Sequence, residues 1–150
     1  MSVRRLLAIW AVVLATFAGP ASAHRLDEYL QATTIAIGFG EVRLRIGLTP
    51  GVSIAPAVLS RIDADGDGAI SPAERRRYAK RAKNDLRLTI DGVSTRLGLR
   101  SWAFPTAAGL RGGVGDIIIV LTAPIGPGTA HRIVLDHPHP DDQAVYLVNT

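Results

Sequence analysis

A run of oxygen-bearing side chains marks residues 63–74, which read DADGDGAISPAE. Carboxylates stand at alternate positions and are followed by a hydroxyl and a glutamate; the donors are Asp63, Asp65, Asp67, Ser71 and Glu74. Calcium takes about 6–8 oxygen ligands at roughly 2.3–2.6 Å, so a loop that binds it must curve around one point and direct alternate side chains inward. This spacing predicts a loop that binds one Ca²⁺ ion.

The other loop residues fit the same geometry. Gly68 stands where the chain turns sharply and a Cβ would collide, and Gly66 has the same conformational freedom two residues earlier. Ala69 needs to offer only its backbone carbonyl, and Ile70 points away from the ion as a hydrophobic anchor. The predicted ligand set is therefore Asp63, Asp65, Asp67, Ala69, Ser71 and Glu74.

Helices are predicted on both sides of the loop. Ser71 has the residue type of an N-cap, Pro72 suits the first helical position, and Glu74 follows the cap by three residues. This helix should run from Pro72 to about residue 85, with Tyr78, Ala82 and Leu86 recurring every four residues. A shorter helix should cover residues 55–62, with Val58, Leu59 and Ile62 on one side.

Residues 55 to about 85 resemble an EF-hand in this order of helix, loop and helix. The resemblance implies side-chain ligation by the five oxygen donors named above and ligation by the carbonyl of Ala69. EF-hands usually pair through the residue at Ile70, but the chain offers no second loop, since residues 136–142 (DHPHPDD) lack a suitable glycine and contain two prolines. A single hand favours a structural ion over a regulatory one. The alternative interpretation is a solvated Asp/Gly turn, or a relic loop that keeps the fold without metal.

The first 23 residues read as an export signal. Arg4 and Arg5 precede an apolar run at residues 6–18, and Ala-Ser-Ala at residues 21–23 fits the rule for a cleavage site. The run is shorter than the roughly 20 residues of a membrane span. We therefore expect cleavage near Ala23-His24 and a periplasmic or secreted protein, with an uncleaved anchor helix as the alternative.

The composition of the remaining chain limits its function. Residues 24–150 suit one domain. Without Arg4 and Arg5, the 17 basic residues become 15 against 13 acidic ones, so a nucleic acid partner is not expected. With no cysteine in the chain, disulfides, thiolate metal sites and thiol nucleophiles are excluded. In an exported protein without disulfides, a bound Ca²⁺ is a plausible stabilising element.

Outside residues 55–85, short strands dominate the pattern. Residues 31–39 and 41–48 predict a hairpin around Gly40, and the second strand alternates, with Val42, Leu44, Ile46 and Leu48 on one face and Arg43 and Arg45 on the other. Residues 86–90 and 93–99 predict a second hairpin around Asp91-Gly92. Further strands are expected at residues 116–122, 131–135 and 144–148, and loops at 109–115 and 123–128.

This set of about seven strands predicts a mainly β fold with an α insertion. We expect an immunoglobulin-like β-sandwich that carries the helix-loop-helix EF-hand between its first and second hairpins. The apolar strand at residues 145–148 lies two residues from the last one. It suggests either a short terminal strand or a gene that continues into a longer, membrane-bound protein.

A rival hypothesis rests on histidines. After cleavage His24 would offer both an α-amine and an imidazole, and His137 and His139 lie two residues apart, which suits Cu²⁺ or Ni²⁺. The opening HRLDEYLQAT is similar to the start of exported domains that precede nickel/cobalt permease-type membrane segments. It implies a periplasmic domain that handles Ni, Co or Cu for a membrane transporter. The alternative is that these histidines lie in ordinary polar loops.

The sequence also contains a basic helix face and a pair of aromatic residues. The predicted second helix has a basic face that could meet anionic lipid or an acidic partner, or could simply be solvated; it comprises Arg75, Arg76, Arg77, Lys80, Arg81 and Lys83. Trp102 and Phe104 are expected to pack in the core or at an edge. No Gly-x-Ser-x-Gly or His-Glu-x-x-His motif occurs, so we predict a binding protein and not an enzyme.

Overall fold

The computed structural model describes residues 28–128, 130–137 and 144–149. The predicted signal peptide, His24 and His139 lie outside these residues. The described elements are β1 (Tyr29–Gly38), β2 (Glu41–Pro50), α1 (Ala55–Ile62), α2 (Pro72–Asn84), β3 (Arg87–Ile90), β4 (Val93–Thr95), β5 (Gly98–Ala103), α3 (Ala107–Arg111), β6 (Ile117–Pro124), β7 (Ile133–Asp136) and β8 (Ala144–Asn149). The described chain is therefore mainly β, as the strand pattern predicted.

The strands form two sheets. The larger sheet has the order β5-β6-β2-β1-β8, and the smaller sheet has the order β4-β3-β7. Neighbouring strands are antiparallel in both sheets, apart from β8, which lies parallel to β1 with Ala144 opposite Tyr29.

Alternation along β2 sets the inner face of the larger sheet. Val42, Leu44, Ile46 and Leu48 are all buried, and Arg43 and Arg45 are exposed, so this prediction is confirmed. The continuous apolar run of β6 also has a structural reason. This strand lies between β5 and β2, where Leu121 pairs with Leu44 on the buried face and the opposite face is half-buried.

The helix-loop-helix lies between the first and second hairpins, as expected. In α1 Val58, Leu59 and Ile62 are buried, and within the loop Ile70 is buried in the same hydrophobic core. Tyr78 and Ala82 of α2 pack against that core, and so does Leu86 of the predicted stripe, which lies beyond the end of the helix at Asn84. Among the described residues, none of the helices is both long and apolar enough to cross a lipid bilayer.

The second hairpin is shorter than predicted. Asp91 and Gly92 form its turn, with φ of 51° and 82°, but the return strand β4 ends at Thr95. The chain then crosses to the other sheet, where Gly98 begins β5 and pairs with β6. The prediction of one strand over residues 93–99 was wrong because alternation of apolar residues continues across the crossing.

The loop predicted at residues 109–115 contains a helical turn. Thr106 caps α3 by accepting a hydrogen bond from the backbone N–H of Gly109 over 3.0 Å. Burial of Ala107 and Leu110 stabilises the turn despite its glycine. The loop predicted at residues 123–128 begins two residues late, because β6 continues to Pro124.

Candidate metal site

The loop between α1 and α2 brings three aspartates together. One carboxylate oxygen from each of Asp63, Asp65 and Asp67 lies within 4.8 Å of the others. Asp63 is half-buried, and the other two are exposed. Three like charges at this separation repel one another, and a cation between them would remove the repulsion.

Backbone N–H groups of the loop hold Asp63 in place. The N–H of Gly66 donates to Oδ1 of Asp63 over 2.8 Å, and the N–H of Gly68 donates to Oδ2 over 3.0 Å. Both glycines have positive φ, 73° and 82°, a conformation that side chains disfavour. The two predicted glycine positions are therefore the ones that turn the chain around Asp63. The expected collision of a Cβ at Gly68 was wrong, because a Cβ there would meet nothing within 4 Å; the positive φ is what favours glycine.

The next two aspartates each close a tight local turn. Oδ1 of Asp65 accepts the N–H of Asp67 over 3.3 Å, and Oδ1 of Asp67 accepts the N–H of Ala69 over 2.8 Å. Such bonds are typical of Asp in turns and orient the carboxylates without any ion. The loop is thus curved by its own hydrogen bonds.

Glu74 connects the two ends of the loop. It is only 4% exposed, and its Oε1 accepts the N–H of Ala64 over 2.6 Å. Its Oε2 accepts both the N–H of Ser71, over 2.9 Å, and the hydroxyl of Ser71, over 2.8 Å. These bonds, above all the backbone bonds from Ser71 and Ala64, lower the pKa of Glu74 from 4.5 to about 2.

The start of α2 fixes Glu74 in this position. Ser71 is the N-cap, Pro72 opens the helix, and the side chains of Ser71 and Glu74 form a capping box. The predicted helix start is confirmed. Arg77 lies one turn further, with Nη2 at 3.7 Å from Oε1 of Glu74. Glu74 therefore carries its charge in the first turn of a helix, where the helix dipole favours it.

The predicted ligands fall into two groups. The three aspartates converge, whereas among the described residues Glu74 does not join their cluster within 4.8 Å. Glu74 and Ser71 are bonded to each other and to the beginning of the loop instead. Sequence reasoning missed the backbone N–H of Ala64 as a partner of Glu74, because a main-chain donor has no side-chain signature.

A second charged cluster, which the sequence did not reveal, lies at the turn before β4. Nδ1 of His131 is 2.7 Å from Oδ2 of Asp91, and the N–H of Arg132 donates to Oδ1 over 2.8 Å. The hydrogen bond with His131, followed by that from Arg132, lowers the pKa of Asp91 below its usual value. This cluster connects the turn to the residues before β7.

The structure does not test the histidines of the rival hypothesis. His137 is described, but His24 and His139 lie outside the described residues. The transition-metal hypothesis therefore stays a prediction.

Comparison with protein-family models, with curated proteins and with solved structures found no match to this chain.

Proposed function

We propose that this protein binds one Ca²⁺ ion in the loop of residues 63–74, and that the ion stabilises the helix-loop-helix against the β core. The observation that carries the proposal is the convergence of the Asp63, Asp65 and Asp67 carboxylates within 4.8 Å. The loop is already curved around this point by its own N–H groups. The three aspartates therefore need little reorganisation when an ion binds, whereas Ser71 and Glu74, which are bonded to each other, must turn towards it.

The donor set fits calcium. All side chains offered by the loop are hard oxygen donors, which Ca²⁺ and Mg²⁺ prefer, whereas Cu²⁺, Ni²⁺ and Zn²⁺ favour nitrogen or sulfur. Calcium tolerates flexible geometry, but Mg²⁺ demands a near-ideal octahedron. The residues that would hold the ion are Asp63, Asp65, Asp67, Ala69 through its carbonyl, Ser71 directly or through water, and Glu74.

Glu74 can serve the ion and the loop together. Each carboxylate oxygen offers two lone pairs. Oε1 accepts the N–H of Ala64, and a backbone hydrogen bond from Asp65 also lowers the pKa of Glu74, so the carboxylate keeps its negative charge within this network. The same residue can therefore hold the loop ends and contribute negative charge to the cation.

The fold type and the resemblance of residues 55–85 to an EF-hand also remain proposals. We propose that residues 55–85 form an EF-hand and that the two sheets form a sandwich of immunoglobulin-like type. In support, one hydrophobic core contains Leu44 and Leu121 of the larger sheet and Leu88 and Ile90 of the smaller one. The parallel pairing of β8 with β1 departs from the antiparallel sheets of that fold type.

The proposal also places the protein outside the cytoplasm as a binding protein and not an enzyme. Export rests on the sequence of residues 1–23 alone, with its two arginines, apolar run and small residues. We propose a binding role because the clustered carboxylates all belong to the ion-binding loop and therefore need no catalytic explanation.

Calcium affinity in this setting should be modest. Extracellular calcium modules bind with dissociation constants of about 0.1–1 mM, so about 1 mM free calcium would stabilise the folded state by about 0.4–1.4 kcal/mol. An effect of this size suits a structural ion.

The test is titration calorimetry with Ca²⁺ on protein recovered from the periplasm of an expressing bacterium, together with melting curves. We expect heat and a raised Tm for the parent, with both lost in Asp63→Ala and Glu74→Ala. Asp136→Ala, which removes an exposed carboxylate on β7 away from the loop, is the matched control and should bind like the parent. If the parent shows neither heat nor a higher Tm at millimolar calcium, the proposal is wrong.

A further inference from the structure

The outward side of α2 concentrates positive charge. Its buried side faces the core through Tyr78, Ala79 and Ala82. Exposed cations occupy the opposite side; they are Arg76, Arg77, Lys80 and Arg81. At 1.5 Å rise per residue, these four positions span only about 8 Å of the helix axis.

Among the residues that the structure describes, these cations have almost no ion-pair partners. Arg77 lies 3.7 Å from Oε1 of Glu74, but both oxygens of that carboxylate already accept backbone hydrogen bonds. In the described part of the chain, no ion pair involves Arg76, Lys80 or Arg81. Their charge is therefore available to a partner.

The strand beside α2 carries further exposed residues. α2 packs against β5, which is an edge strand of the larger sheet. β5 is irregular between Leu99 and Ser101, at Arg100, and both Arg100 and Trp102 are exposed. We name these residues of helix and strand together the basic surface: Arg76, Arg77, Lys80, Arg81, Arg100 and Trp102.

We propose that the basic surface docks on the phosphate headgroups of an anionic phospholipid membrane. Each Lys or Arg near such a surface is attracted by it, and a tryptophan, apolar with one polar N–H, suits the boundary between headgroups and water. Four of its five cations lie on the outer side of one helix, and an exposed array of cations can face several headgroups at once.

The composition of the surface bears on two other partners. The core of a protein interface is depleted of charged residues as a class, whereas five of these six residues are cations; because Arg and Trp are themselves common at protein interfaces, an acidic polypeptide is the rival partner that the experiment must exclude. Nucleic acid binding domains are strongly basic overall, but residues 24–150 hold 15 basic against 13 acidic residues once Arg4 and Arg5 are set aside. The charge here is a local feature of one face.

Protein recovered from the periplasm is mixed with lipid vesicles in the presence of chelator, and the fraction that sediments with the vesicles is measured. Vesicles of phosphatidylcholine mixed with phosphatidylglycerol are compared with phosphatidylcholine alone. We expect binding to the anionic vesicles only, weakened by added salt because salt screens exposed charges. The Arg76→Gln/Lys80→Gln variant should bind about 30-fold more weakly, at the usual contribution of two cations near an anionic surface.

The matched control is Arg43→Gln/Arg45→Gln, which removes the same charge from the face of β2 that points away from the core. It should bind like the parent, and circular dichroism should show that both variants are folded. Equal loss in both variants, equal binding to neutral vesicles, or binding to acidic polypeptide or duplex DNA in place of vesicles would overturn the proposal. Because chelator removes calcium, failure here is distinguishable from failure of the calcium site.

Discussion

Glu74 is a buried carboxylate whose partners are all close in sequence. Its oxygens accept hydrogen bonds from Ala64, ten residues earlier, and from Ser71, three residues earlier. These donors lie at opposite ends of the loop. We infer that Glu74 holds the loop closed even before an ion binds, while the aspartates make the site attractive to a cation.

This division of roles predicts different behaviour of two conservative variants. Glu74→Gln replaces an acceptor oxygen with an N–H₂ group that cannot accept from Ala64 or Ser71, so in chelator the Tm should fall by about 5–10 °C. Asp65→Asn alters an exposed side chain that accepts the N–H of Asp67 over 3.3 Å, so in chelator its Tm should stay near that of the parent. Its Tm should rise less than that of the parent when calcium is added.

Melting curves of both variants in chelator and in calcium check this expectation. Equal Tm losses for Glu74→Gln and Asp65→Asn in chelator would show that Glu74 does not hold the ion-free loop.

The pKa of Glu74 predicts an acid sensitivity. The folded-state pKa is about 2, below the ordinary value of 4.5, because the N–H groups of Ser71 and Ala64 favour the ionised form. A lowered folded-state pKa stabilises the protein fully above pH 4.5, and the stabilisation is lost as the pH falls towards 2. In chelator, the difference in unfolding free energy between parent and Glu74→Gln should therefore shrink over this range, as measured by urea denaturation. A difference that stays constant would contradict the assignment.

At the scale of elements, the turn between β3 and β4 shows how backbone conformation selects residues. Asp91 and Gly92 both have positive φ, which matches the two-residue hairpin turn that Asp-Gly favours. The carboxylate of Asp91 also receives the N–H of Arg132 and contacts His131. The turn is therefore connected to the segment that leads into β7, and it helps to place that strand beside β3.

The turn gives a prediction with a clean control. Gly92 has a φ of 82°, and a Cβ added there would meet nothing within 4 Å, so Gly92→Ala tests backbone conformation alone. It should destabilise the protein by about 1 kcal/mol. Gly126→Ala also meets nothing within 4 Å and needs no positive φ, so its unfolding free energy should not fall. Chemical denaturation of both variants measures the difference, and equal stabilities would contradict the expectation.

At the scale of the whole molecule, the loop and the sheets share one core. Ile62, the last residue of α1, and Ile70, within the loop, belong to the same buried cluster as Leu44 and Leu121 of the larger sheet. Tyr78 of α2 forms a hydrogen bond of 2.9 Å with Tyr29 of β1. The helix-loop-helix should therefore unfold together with the sheets.

Shared packing predicts that calcium stabilises the whole domain. Amide hydrogen exchange followed by NMR should show greater protection in β2 and β6 as well as in the loop when calcium is added, because these amides open by global unfolding. Protection confined to residues 63–74 would show that the loop folds separately.

The global unfolding transition should also be sensitive to a loop residue. Ile70→Ala should destabilise this transition by about 2–4 kcal/mol, whereas the exposed Val134→Ala should have little effect.

The sequence by itself determined the features whose partners lie close along the chain. The helix start at Ser71 and Pro72, the glycines at positions 66 and 68 and the two faces of β2 are set by hydrogen bonds and periodicity within about a dozen residues. Such interactions leave a pattern of residue types that can be read directly. The basic side of α2 was visible for the same reason.

Only the tertiary structure decided which distant segments meet. In the tertiary structure β5 lies in the larger sheet and β8 lies parallel to β1. The hydroxyl of Thr49 donates to Oδ1 of Asp116, 67 residues later, over 2.6 Å. The tertiary structure also places Arg100 and Trp102 on the strand beside α2. These pairings depend on where buried surfaces fit together across the whole chain, and local residue patterns are compatible with several such arrangements.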